Sequence, residues 1–173
     1  MATYTTPPRT GREAFEMMPE GTLCQVVNDT LIMSPVPATT HARVQNRIVK
    51  DYDYVEETSL GEVFCAPVDV YFNNKNIFQP DIVFVSTEKK GLIKRGGIFG
   101  APDLIIEILS EDKSSDLMKK KSVYEQAGVQ EYWVVDPKTK WCEGYRLINK
   151  ASISSSEGYG QLVIHLLAFT LTF

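Results

Sequence analysis

The segment of residues 102–109 constrains the fold most. It reads Pro-Asp-Leu-Ile-Ile-Glu-Ile-Leu, with apolar residues in both alternating sets of positions. A strand that is apolar on both faces is covered on both sides, which is typical of a central strand in a layered α/β protein. The segment therefore predicts an interior strand, and this strand contains one carboxylate, that of Glu107.

Glu107 does not fit an ordinary hydrophobic core. Ile105 and Ile106 precede it and Ile108 follows it. Burial of an ionised carboxylate without a partner costs several kcal/mol, so Glu107 requires a cation, a metal ion or a raised pKa. The bland alternatives are a position at the exposed end of the strand, or an ion pair with a lysine of the core.

The remaining sequence predicts a mixed β-sheet core with flanking helices, an α/β (α+β) fold in a single domain of residues 1–173. A chain of 173 residues with 43% hydrophobic content is large enough for one substantial core. Helices are predicted from residue 10 to 17 or 18, at 41–55, and from a cap at Ser114 or Ser115 to Ala127. Strands are predicted at residues 23–27, 30–33, 63–72, 79–85, 131–135, 141–147 and within 161–173. Residues 86–100 and 152–160 are predicted as loops, the first basic and the second polar.

The composition excludes several classes of protein. The three cysteines are widely spaced and odd in number, which argues against a disulfide framework or a clustered zinc site. Only two histidines are available, so a histidine-rich metal site is excluded. No segment approaches the ~20 consecutive apolar residues of a membrane helix, and the first nine residues do not form a secretory leader. We therefore expect a cytoplasmic protein with no membrane contact.

The net charge of −4 argues against a broad nucleic-acid-binding surface, because such binding depends on basic residues that neutralise phosphates. A nucleic-acid partner must therefore meet a local basic surface. One candidate is the stretch that contains Lys89, Lys90, Lys94 and Arg95, and a second contains Lys113, Lys119, Lys120 and Lys121. An ordinary solvated face explains the first stretch equally well.

Asp81 gains its interest from a pairing with Glu107. It stands directly after Pro80, at the entry of an apolar strand, and by itself it is best explained as a turn or cap residue. Adjacent strands of a sheet lie ~5 Å apart, so two carboxylates at matching heights on one face can share a metal ion. Oxygen ligands of this kind favour Mg²⁺ or Mn²⁺ over Zn²⁺.

Lys120 is distinguished from its lysine neighbours by helical geometry. At ~100° per residue, its position falls near the centre of one apolar arc, which is formed by Leu117, Val123, Tyr124 and Ala127. A lysine that faces the strand of Glu107 can neutralise a carboxylate or activate a water molecule. The alternative is a lysine whose stem covers apolar surface while its ammonium group reaches water.

An aspartate after proline, a strand that carries a glutamate and a nearby lysine resemble the PD-(D/E)xK nuclease superfamily. Pro80-Asp81 supplies the first element and Glu107 the second. More closely, residues 10–147 resemble the Uma-two family of restriction-endonuclease-like proteins. The stretches that carry this resemblance are Met33-Ser34-Pro35 with His41, Gln79-Pro80-Asp81, residues 101–110, Asp116 with Lys120 and Tyr124, and residues 128–137.

The resemblance implies a restriction-endonuclease-like core, a Mg²⁺-dependent site that can also use Mn²⁺, and DNA as the substrate. It implies that Asp81 and Glu107 are metal ligands. Leu109 stands where the superfamily has its lysine, a role that in this family passes to the helix and here to Lys120. His41, at a helix start, and Tyr124 are candidate accessory residues.

Gln25 is a second departure, since the family more often has a glutamate there that assists the metal site. It leaves two functions open: a Mg²⁺-dependent endonuclease, and a nuclease-fold protein of weak or no activity that serves as a binding or assembly module. The acidic pI also favours the module. For the endonuclease we expect a homodimer, because two cuts on duplex DNA need two sites and β-rich edges such as the C-terminal segment invite pairing.

Overall fold

The computed structural model describes residues 7–50, 52, 55, 57–110 and 114–173, and the side chains of residues 114–117 lie outside this description. The helices are α1 (Gly11–Glu16), α2 (Thr39–Lys50) and α3 (Ser114–Ala127), with a 3₁₀ helix at Thr87–Leu92. Within these residues, no helix combines the length and the apolar character needed to cross a membrane.

The strands of the described residues form two larger sheets and a C-terminal hairpin. The first, here called the central sheet, has the strand order β12 (Ala151–Tyr159), β11 (Trp141–Ile148), β10 (Glu131–Val135), β9 (Leu104–Ile108), β6 (Ile82–Ser86) and β3 (Gly61–Cys65). The second sheet has the order β2 (Thr30–Met33), β1 (Cys24–Val27), β5 (Asn76–Phe78), β4 (Val70–Asn73), β8 (Gly97–Phe99) and β7 (Ile93–Lys94). The hairpin pairs β13 (Gln161–Ile164) with β14 (Phe169–Thr172). Mixed sheets with flanking helices confirm the predicted fold class.

Strand β9 is the interior strand that the sequence predicted. All five of its residues are buried, between the parallel neighbour β10 and the antiparallel neighbour β6. Ile106 packs on one face in a cluster with Val44 and Ile48 of α2, whereas Ile105 packs on the other face with Tyr124 of α3. Both faces are covered, so both sets of alternating positions are apolar. Glu107 lies two residues after Ile105 and therefore faces the α3 side.

The N-terminal predictions are confirmed, except that α1 ends at Glu16 instead of Met17 or Met18. The hydroxyl of Thr10 accepts a hydrogen bond from the amide of Glu13 at 3.1 Å and caps α1. The Glu13 carboxylate in turn accepts from the amide of Arg9. Strands β1 and β2 form the predicted hairpin, and its turn residues Asn28 and Asp29 have φ angles of 49° and 66°. Asparagine and aspartate tolerate this left-handed conformation better than other side chains.

The two longer helices follow the predicted patterns. Val44, Ile48 and Tyr52 are buried as predicted, although α2 is described only to Lys50, and residues 51, 53 and 54 of the predicted helix lie outside the described residues. Helix α3 ends at Ala127 as predicted, before Gly128 with a φ of 91°. The predicted cap at Ser114 or Ser115 concerns side chains that are not described.

The structure corrects three predictions of local structure. Residues 63–72 are not one strand: β3 and β4 belong to different sheets, because Pro67 lies between them and has no amide to continue a ladder. The predicted polar loop at residues 152–160 is wrong, since β12 pairs with β11 along this stretch. An edge strand of this kind needs no apolar face, so its serines gave no strand signal. Residues 86–100 contain the 3₁₀ helix and the short strands β7 and β8 instead of a plain loop.

Candidate metal centre

The topology of the central sheet brings Asp81 and Glu107 to the same place. Strands β6 and β9 are antiparallel neighbours with Ile82 opposite Ile106. Asp81 precedes Ile82 and Glu107 follows Ile106, so the same register sets the two acids opposite each other. Both line one cavity of about 500 Å³. The structure therefore joins the two predicted ligands, and their role as ligands stays a prediction.

Asp81 is held from several directions. One carboxylate oxygen, Oδ2, accepts a hydrogen bond from the amide of Ile108 at 2.7 Å, and Oδ1 lies 3.0 Å from Nε2 of His41. The backbone carbonyl of Asp81 accepts hydrogen bonds from the side chain of Gln45 at 2.8 Å and from the amide of Ala66. The contacts of Ile108 and His41 hold the carboxylate next to β9, and those of Gln45 and Ala66 hold the backbone of Asp81.

His41 lies in the first turn of α2 and is buried against Asp81. Burial alone lowers the pKa of this imidazole, but its hydrogen bond to Asp81 and the negative charges of Asp81 and Glu107 outweigh that effect and raise the pKa. Its Nδ1 atom makes no hydrogen bond within the described residues. The predicted accessory residue thus contacts a predicted metal ligand.

Glu107 forms a buried cluster with two residues of α3. Its Oε1 atom accepts hydrogen bonds from Nζ of Lys120 at 2.9 Å and from the hydroxyl of Tyr124 at 2.5 Å. Lys120 and Tyr124 are one helical turn apart, so both reach the same oxygen. Burial raises the pKa of Glu107 and the charge of Asp81 adds to this effect, while Lys120 and Tyr124 oppose it. Of the explanations offered for a buried glutamate, the structure contains the ion pair with a lysine together with a raised pKa.

Several residues complete the cavity from other elements. Gln25 of β1 is buried and lines the cavity, so the second sheet contributes to the site. Gln79, just before Pro80, also lines the cavity. Gln45, which sequence reasoning missed, positions Asp81 through its carbonyl. A signal for Gln45 existed, because it lies four residues after His41 and therefore on the same helical face.

The donor set fits a hard divalent cation. The Oε1 atom of Glu107 is engaged by Lys120 and Tyr124, and Glu107 lines the cavity together with Asp81. In the described part of the chain, no group of three or more histidine, cysteine, aspartate or glutamate side chains is arranged to hold a metal. Mg²⁺ is usually bound by only one or two carboxylates, with water and substrate phosphate as its other ligands. Two carboxylates at an accessible cavity match that pattern.

The predicted basic surface lies elsewhere. Lys89 forms an ion pair with the buried Asp103 at 3.0 Å, and Lys90 lies 3.6 Å from Glu62. Lys94 and Arg95 are exposed at β7, the edge of the second sheet opposite to β2. None of these four lines the cavity. Of the second stretch, Lys119 is exposed, Lys121 lies over the ring of Tyr145 at 3.5 Å, and Lys113 is outside the described residues.

The mixed sheets with flanking helices define an α+β fold that has two opposed carboxylates at one cavity. The chain is similar to a crystal structure from Anabaena variabilis, described as "a putative nuclease belonging to DUF820", with a TM-score of 0.77, 21% identity and 95% of each chain covered. Residues 12–172 match the model of the Uma2 family, described as "putative restriction endonuclease". The chain therefore belongs to the Uma2 family, which confirms the resemblance inferred from its motifs. No curated protein is significantly similar to the chain.

Proposed function

We propose that this protein is a Mg²⁺-dependent nuclease that hydrolyses phosphodiester bonds of DNA. The observation that carries the proposal is the meeting of Asp81 and Glu107 at one cavity, with Lys120 bound to Glu107. Membership of the Uma2 family supports the reaction class. Mn²⁺ is the alternative metal, since it has the same preference for oxygen ligands.

Asp81 and Glu107 would hold the metal ion. When bound, such an ion polarises a phosphoryl oxygen and lowers the pKa of a coordinated water. The amide of Ile108 and His41 keep Asp81 oriented. Lys120 contacts Glu107 at the cavity, and its ammonium group would stabilise negative charge that develops on a phosphate there or orient the attacking water.

A second candidate function follows from Gln25. A neutral amide lines the cavity where a third carboxylate would add charge to the metal site, and the net charge of the chain is −4. A nuclease fold with a weak metal site serves as a binding or assembly module. The cytoplasmic location and the homodimer stay predictions that accompany the nuclease.

Calorimetry with Mn²⁺ and a cleavage assay separate the two functions. We expect the wild-type protein to bind Mn²⁺ and to cleave plasmid or single-stranded DNA when Mg²⁺ is present. Asp81→Asn should lose both properties and keep the fold, while the exposed Glu88→Gln, which removes the same charge far from the cavity lining, should keep both. Binding of Mn²⁺ without cleavage, or no binding, contradicts the enzyme and favours the module. Gln25→Glu should tighten Mn²⁺ binding in either case, because it adds a charged ligand.

A further inference from the structure

The reactive groups lie below the protein surface. The side chains of Lys120 and Glu107 are each 7% exposed, and that of Asp81 is 14% exposed. A phosphodiester in intact duplex DNA lies on the outside of a wide, stiff cylinder, and the neighbouring phosphates move with it. A phosphate in a flexible unpaired strand can therefore approach these shielded groups more easily than one in a stiff duplex.

The cavity is large enough to hold one ligand of the size of a nucleotide. Its volume of about 500 Å³ lies within the range of roughly 300–1,000 Å³ that holds one small molecule. One wall is formed by Pro35, Val36 and Pro37, and Val36 is 82% exposed. The two prolines restrict the backbone on either side of the valine. An exposed apolar side chain on a stiff loop can pack against the face of a base, which is available in an unpaired strand but is stacked on its neighbours in a duplex.

The charges at the cavity do not favour a duplex. Within the described residues, the basic side chains that line it are His41 and Lys120, and each contacts a carboxylate. The exposed Lys94 and Arg95 lie away from the lining. Duplex binding draws most of its non-specific affinity from many phosphate contacts. Unpaired strands also bind through their phosphates, but contacts to the faces of their bases add affinity that a duplex cannot supply.

We propose that the cavity accepts nucleic acid as an unpaired strand, either single-stranded DNA or an unpaired segment within a duplex, and that Val36 contacts the base next to the reacting phosphate. This inference rests on the nuclease function proposed above. It assigns a substrate class to the site and a specificity-determining role to the loop of residues 35–37.

The test compares substrates of one sequence. A fluorescein-labelled DNA strand, its perfect duplex, and the same duplex with a central unpaired bulge are incubated with the full chain and Mg²⁺, and cleavage is followed on denaturing gels. Since extrusion of a base from a duplex is costly, we expect the strand to be cleaved about a hundredfold faster than the duplex. Cleavage of the bulged duplex should be confined to the bulge.

Binding of the single strand and of the perfect duplex is measured separately by fluorescence anisotropy with Ca²⁺ in place of Mg²⁺. Val36→Asp should weaken binding of the single strand by about fivefold or more, because it replaces an apolar contact with a charge that repels phosphate. Val163→Asp is the matched control, since Val163 is an exposed valine outside the cavity lining. The control should bind as the wild type does.

The outcomes separate this inference from the proposed function. Preference for the single strand, reduced by Val36→Asp but not by Val163→Asp, supports the inference. The same binding preference without cleavage by the wild type supports the inference and refutes the nuclease function. Equal or faster cleavage of the perfect duplex refutes the inference and leaves the nuclease function intact. Absence of both cleavage and binding refutes the two together.

Discussion

The buried pair of Glu107 and Lys120 permits a quantitative prediction about stability. The two side chains are 2.9 Å apart and each is 7% exposed. At an effective dielectric constant of about 20, this separation corresponds to an attraction of about 6 kcal/mol. Removal of both charges from water costs several kcal/mol per ion, so the net contribution of the pair is small even though its internal coupling is large.

A double-mutant cycle measures that coupling. Lys120→Met leaves a buried carboxylate beside the negative charge of Asp81, and Glu107→Gln leaves a buried ammonium group. We expect each single variant to lose about 3 kcal/mol of unfolding free energy. The double variant replaces the pair with neutral side chains of similar shape and should be within about 1 kcal/mol of the wild type. The resulting coupling energy is about 6 kcal/mol.

The assay is urea denaturation of the metal-free protein at neutral pH in the presence of a chelator. Fluorescence of the fully buried Trp133 reports the unfolding. Lys119→Met is the matched control, because Lys119 is the exposed neighbour of Lys120, and it should change stability by less than about 0.5 kcal/mol. If the two single effects add within about 0.5 kcal/mol in the double variant, the two side chains do not interact and the reasoning is refuted.

Two further predictions concern regions outside the cavity. Gly144→Ala should lose about 2 kcal/mol of unfolding free energy in urea denaturation, because an added Cβ would lie 2.5 Å from the ring of Trp133. The control Gly158→Ala should be close to neutral, since a Cβ at this position meets no atom within 4 Å. Equal losses in the two variants would contradict this account. Asp136→Ala should lose about 1 kcal/mol of unfolding free energy at neutral pH. Partial burial raises the pKa of Asp136, but the hydrogen bonds that its carboxylate accepts from the amides and hydroxyl of the following turn outweigh this effect and lower the pKa. A group whose pKa is lower in the folded state stabilises the fold at pH values above the ordinary aspartate pKa, and this stabilisation is lost as the pH falls through the folded value. The stability difference between Asp136→Ala and the wild type should therefore disappear in acid. A difference that does not depend on pH would exclude this cause.

The sequence predicted those parts of the site in which burial conflicts with polarity. Glu107 was recognisable because an ionisable residue interrupts an apolar strand, and Lys120 because it falls inside an apolar helical arc. The two anomalies explain each other, since the lysine is the partner that the glutamate requires. Local periodicity contains this information, and no knowledge of the topology is needed to read it.

Other parts of the fold depend on partners distant in sequence. The serine-rich strand β12 has no alternation that would mark it, and it exists because β11 offers an unpaired edge. Glu131 was predicted only as a strand residue, but it is buried and accepts hydrogen bonds from the side chain of Trp133 and the amides of His165 and Leu166. Nothing in the local sequence of Glu131 indicates that the C-terminal hairpin supplies the two amide donors.

The proposed chemistry gives a reason for a buried ion pair at this site that stability does not give. A pair of apolar or neutral side chains would fill the same space at no loss of stability, which is the expected behaviour of the double variant. The contacts of Glu107 also engage one oxygen with Lys120 and Tyr124, while the cavity remains accessible beside it. A purely structural role does not explain why Glu107 lies opposite a second carboxylate, since the negative charge of Asp81 disfavours the ionised form of Glu107. The two acids repel each other at the cavity, and Lys120 stabilises only Glu107. The free energy of this arrangement would improve on binding of a divalent cation.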